Sequence, residues 1–72
     1  MPINKTEFDV EMLRHQDNLM TLSKKLNIHP ITLSKKRNGF VDFTRIEAFK
    51  IKEMYQLSDE RFNEIFGEGV AV

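Results

Sequence analysis

Seventy-two residues are enough for one domain, near the size at which a single core is only marginally sufficient. Apolar residues make up 40% and charged residues 31%, so a packed domain is expected rather than a disordered chain; without cysteine there is neither a disulfide framework nor a Cys-based zinc site. The net charge is zero but unevenly spread: residues 18–39 carry Lys24, Lys25, Lys35, Lys36 and Arg37 with no acid, so the remaining six Lys and Arg stand against eleven Asp and Glu.

Asn4 followed three positions later by Glu7 resembles a capping box and predicts a helix to about Gln16, with Phe8, Val10, Met12 and Leu13 as its inner face. Asp17 and Asn18 break that pattern, and Asn18 is the natural N-cap of a second helix, Leu19 to Leu26. Leu22 and Leu26 share one face of it, and Asn27 closes it as the non-glycine residue that best tolerates a left-handed C-terminus. A turn of Asn27, Ile28 and His29 follows. Pro30 suits the first turn of a third helix and disfavours helical backbone at His29, so this helix has a defined start; Leu33 faces inward, and Asn38 and Gly39 end it.

Residues Phe40 to Phe43 form a loop apolar enough to lie against the body. Thr44 with Glu47 makes the clearest capping box in the chain, and Phe43 before it is placed as a hydrophobic staple. The fourth helix carries Ile46, Ala48, Phe49, Ile51, Met54 and Tyr55, more than one stripe can bury, so some must face outward or toward a partner. Ser58 caps a last short helix with Phe62, Ile65 and Phe66 inside, and Gly67 stops it. No useful β alternation appears. The expectation is an all-α fold of five helices over residues 1–67, with a mobile tail over 68–72.

No apolar run approaches the roughly 18 residues of a membrane span, and MPINKTEFD has no signal-peptide core, so a cytoplasmic protein without membrane partners is expected. His15 and His29 are too isolated for a metal site, and Ser23 and Ser34 have no paired base. No catalysis, cofactor or small-molecule substrate is expected.

LSKKLNIHPITLSKKRNG, then VDFT, then a helix leading to QLS and EIFGE, resembles the lambda-repressor-like helix-turn-helix family, which includes small phage repressors and Cro-type regulators, over roughly residues 6–67. Overall similarity and length also bring it near temperate-phage antirepressors of the modulator of repression type. The resemblance implies a regulator of a lysogeny switch in a bacterial host, with helix three in the major groove. It places Asn18, the Leu19 N–H and Asn38 on phosphates, and Pro30, Ile31, Thr32 and Lys35 at base-reading positions; in a Cro-like reading Lys24 and Lys36 join the phosphate contacts.

Pro30 and Ile31 depart from that pattern, since neither side chain can make a bidentate bond to a base, and Leu19 stands where Gln is frequent. With Met12 and Arg37 at the family's ion-pair positions, no pair is expected between helix one and the end of helix three. Two functions follow. One is an antirepressor or co-regulator that binds a cognate phage repressor and touches DNA weakly or jointly, through a partner surface of Pro30, Ile31, Asp42, Glu47 and Glu53. The other is a stand-alone Cro-like operator-binding repressor. Ile31 itself is open to three uses: a thymine-methyl contact, an anchor against protein, or core if the helix is rotated.

Overall fold

A computed structural model describes residues 3–67 and residue 70. Within them are five helices, α1 Lys5–Arg14, α2 Leu19–Leu26, α3 Pro30–Arg37, α4 Arg45–Met54 and α5 Asp59–Phe66, and no strand. The fold is all-α. No helix among the described residues is long and apolar enough to cross a membrane.

The caps set the boundaries. Asn18 caps α2 by accepting from the Thr21 N–H at 2.9 Å while the Thr21 hydroxyl accepts from the Asn18 N–H at 2.9 Å, a reciprocal box with Thr at the third position. Thr44 and Glu47 form the expected box on α4, at 2.9 and 3.1 Å. On α1 only half of the expected box forms: Asn4 accepts from the Glu7 N–H, but the Glu7 carboxylate goes to Arg61 at 2.7 Å, and the Asn4 N–H donates to the Ile65 carbonyl at 2.7 Å. The beginning of the chain is thereby tied to α5. Asn27 is left-handed at φ 57°, as its type suggested, and so are Gln16 and Gln56, which end α1 and α4.

The core is built from Phe8 and Met12 of α1, Leu22 and Leu26 of α2, Leu33 of α3, Phe43 of the α3–α4 loop, Ala48, Ile51 and Tyr55 around α4, and Ile65 and Phe66 of α5. Phe8, Phe43 and Phe66 meet as a tilted and edge-on trio with ring centres 5.3 to 6.3 Å apart. α2 packs chiefly on α3, and α1 on α5.

One expectation fails here. Leu13 is 76% exposed and Val10 half-buried, while Glu11 takes the inward place instead. Glu11 is tolerated there because Arg61 reaches it from α5 at 2.7 Å and Arg14 adds a contact at 3.3 Å; no buried side-chain polar atom among the described residues lacks a partner. In the tail, Val70 forms a parallel bridge with Phe43 and packs half-buried against the core. Positions 68, 69, 71 and 72 lie outside the described residues.

Candidate functional site

Of the five basic side chains in residues 18–39, three are already paired with acids outside the segment. Lys25 meets Asp17 at 2.8 Å, Lys36 meets Glu47 at 2.7 Å, and Arg37 grips Asp9 with two bonds of 2.5 and 2.7 Å. The Arg37–Asp9 pair joins the end of α3 to α1, so the ion pair not expected from Met12 is present, with Asp9 supplying the carboxylate. Among the described residues, Lys24 and Lys35 have no such pair and are exposed.

These pairs also displace titrations. The hydrogen bond from Arg37 holds the Asp9 carboxyl below its ordinary value. Burial pushes Asp17 up, but hydrogen bonds from Lys25, Tyr55 and Thr21 outweigh it and leave the group lowered. Glu47 behaves alike, its burial outweighed by Lys36 and by the Thr44 cap. Tyr55 is driven upward by burial and by donating to Asp17 at 2.6 Å, so it stays a neutral donor.

The expected DNA contacts therefore divide. Thr32 and Lys35 are exposed on α3, and Lys24 on α2. Asn18 is exposed, though its side chain is committed to the cap, and Asn38 is exposed beside Arg37, whose guanidinium donates to it at 3.1 Å. Lys36 leaves the set: it is only 6% exposed, and its ammonium donates to Glu47 and, at 3.2 Å, to the Asp42 carbonyl. A phosphate could reach it only by breaking that clip.

The expected partner contacts divide as well. Pro30 and Ile31 line an open groove of about 860 Å³ between α1 and the starts of α2 and α3, together with Met12, Leu13, Leu19 and Met20. Ile31 is 61% exposed, so it is not core. Asp42 is exposed in the loop before α4, and Glu53 is exposed on α4 beside Phe49 in a smaller hollow. Glu47 is half-buried, with its Oε1 already accepting from its cap and from Lys36.

Near Asp42 and Glu53 lie apolar groups outside the expected partner surface. Phe40 and Ile46 are each 80% exposed, and Val41 and Phe49 are also exposed. Ile46 and Phe49 stand three apart on one face of α4, and the Phe49 ring stacks on Phe62 at 5.5 Å with Arg45 5.9 Å from its centre. The excess of apolar positions on helix four was the signal for Ile46 and Phe49; Phe40 and Val41, expected to lie against the body with the rest of their loop, are instead exposed, and only Phe43 of the apolar residues there is buried. No described group of His, Asp and Glu could hold a metal ion. Compared with protein-family models, with curated proteins and with solved structures, the chain gives no match in any of the three.

Proposed function

We propose that the α2–turn–α3 unit is a helix-turn-helix of the lambda-repressor-like kind, and that the protein is a non-enzymatic antirepressor: it binds a cognate phage repressor and has weak DNA affinity of its own. The observation that carries this reading is the internal neutralisation of Lys25, Lys36 and Arg37, which leaves two free lysines beside a recognition helix that begins Pro30-Ile31. Few phosphate contacts, and no side chain able to make a bidentate base contact at the first two reading positions, leave mainly counterion release, with a non-specific Kd on the order of 10⁻⁴ to 10⁻⁶ M.

The partner surface is the α4 face. Phe40, Val41, Ile46 and Phe49 supply apolar anchors, aromatic residues being favoured at interface centres, while Asp42 and Glu53 offer carboxylates to the Lys- and Arg-rich face of a DNA-binding partner. Covering that partner face would keep it from its operator.

A gel shift on the switch region of the parent phage tests this, with the protein alone, the cognate repressor alone, and both together. The expected result is no specific band for the protein alone and loss of the repressor's band in the mixture, with Ile46→Asp abolishing that loss. A specific nanomolar complex of the protein alone at physiological salt would replace this reading with the Cro-like one, for which the exposed Thr32, Lys35, Lys24 and Asn38 speak.

A further inference from the structure

The groove between α1 and the starts of α2 and α3 shares no lining residue with the α4 face proposed above to meet the repressor. Three of its apolar side chains, Leu13, Met20 and Ile31, are more than half exposed, although each belongs to a different helix. A folded domain seldom leaves a concave apolar surface of this kind uncovered unless something binds it.

Charge narrows the occupant. Lys24 stands four residues beyond Met20 on α2, and Lys35 four beyond Ile31 on α3, so each follows its apolar neighbour by one turn on the same helical face. Neither lysine has an ion pair among the described residues. The two carboxylates that line the groove are both matched, Asp9 by Arg37 and Asp17 by Lys25 and Tyr55. What is left without a counterpart is therefore an apolar channel followed by two ammonium groups.

We infer that this groove binds an acidic amphipathic segment of a second protein, its apolar face laid against Leu13, Met20 and Ile31 and its carboxylates on Lys24 and Lys35. The pattern is that of a helix held in a groove by apolar anchors one turn apart. DNA fits the lining less well: base edges offer little apolar surface beyond the thymine methyl, whereas Met12 and Leu13 extend the apolar wall onto α1, outside the α2–α3 unit. Because the two surfaces have no residue in common, a bound repressor and a bound acidic segment need not compete for the same side chains.

Methyl and amide NMR titration of the full chain tests the inference with three probes. These are an 18-residue helical peptide with Leu at positions i, i+3, i+4 and i+7 and Glu elsewhere, the same peptide with Lys for every Glu, and a short AT-rich duplex. The acidic peptide is expected to move the signals of Leu13, Met20 and Ile31 saturably, and the basic one to bind roughly tenfold or more weakly. The double variant Lys24→Glu, Lys35→Glu, whose positions are exposed and so should leave the melting temperature near that of the parent, is expected to reverse that preference. Absence of a saturable shift, equal affinity for both peptides, an unreversed preference, or duplex binding tighter than the acidic peptide at the same signals would each overturn the inference, the last in favour of a nucleic-acid face.

Discussion

Residues 18–39 and helix α4 invert each other. By composition residues 18–39 form a bare cationic surface, yet three of their five charges are tied to acids elsewhere and Lys36 is buried. By composition α4 carries more apolar residues than one stripe can bury, and the surplus is on the outside: Ile46 is 80% exposed and Phe49 is exposed, while Ala48, Ile51 and Tyr55 are inside. The exposed character of a helix thus depends on which stripe its neighbours leave uncovered. A charged stripe matched across the fold loses its reach for polyanions, and an apolar stripe with no neighbour gains a reach for protein.

The largest test of that inversion is a pair of truncations. Leu33 is fully buried where α3 meets α2, and Leu33→Ala should cost about 2 to 5 kcal/mol, a large share of what a domain of this size holds. Ile46→Ala on α4 should stay within about 0.5 kcal/mol, since surface substitutions away from special features rarely do more. Urea unfolding of both variants reads the contrast directly; equal losses would mean that Ile46 is covered in the folded state after all.

Lysines one residue apart on α3 give the next largest contrast. Lys36→Met leaves the Glu47 carboxylate half-buried without its ammonium and should cost roughly 2 to 4 kcal/mol, less than a fully buried pair because the Thr44 cap remains. Lys35→Met should be nearly neutral. In DNA binding the order reverses: Lys35→Met should lower the salt slope by about 1 phosphate contact, while Lys36→Met should leave the slope unchanged where the fold survives. A loss of slope with Lys36→Met in a folded sample would return that residue to the phosphate set.

Acid should undo the same matching. Asp9, Asp17 and Glu47 all titrate below their ordinary values of 3.8, 3.8 and 4.5, so each takes up its proton less readily folded than unfolded. The stabilisation they give is complete above those ordinary values and is lost as pH falls through the lower folded ones. Far-ultraviolet circular dichroism should therefore show melting temperature falling steadily below about pH 4.5. The double variant Asp9→Asn, Asp17→Asn should be less stable at neutral pH and fall less steeply in acid; an unchanged slope would place the acid sensitivity elsewhere.

Much of the fold was legible because its signals are local. Asn18, Asn27, Pro30, Thr44 and Ser58 mark helix ends within a few residues of themselves, and Leu22, Leu26 and Leu33 stand at helical spacing. What escaped was set by distant partners. Glu11 could displace Leu13 from the inner face only because Arg61 lies 50 positions on, and Asp9 meets Arg37 across 28. Lys36 was closer to legible: it lies three residues after Leu33 and so shares the inward side of α3, a placement that the count of positive charges concealed. The split of the partner residues between the groove and the α4 face depends on tertiary geometry, which helical spacing alone does not contain.

The smallest effect compares how helices end in the two regions. α1, just before the basic segment, and α4 finish alike: Gln16 and Gln56 are left-handed at φ 58° and 50°, and the next N–H donates back to the helix, Asp17 to the Met12 carbonyl at 2.8 Å and Leu57 to that of Lys52 at 2.9 Å. A left-handed residue with a Cβ is strained by about 1 to 2 kcal/mol, whereas glycine there is unstrained but loses about 0.5 to 1 kcal/mol more backbone freedom on folding. Gln16→Gly and Gln56→Gly should each therefore stabilise by a few tenths of a kcal/mol to about 1, raising the melting temperature by roughly 1 to 6 °C in a domain of this size. Asn27→Gly, at the same kind of position after α2, should gain less, because asparagine already tolerates that backbone. Calorimetry on the three variants ranks them, and an Asn27→Gly gain equal to the other two would mean that the closure of α2 carries the same strain as the ends of α1 and α4.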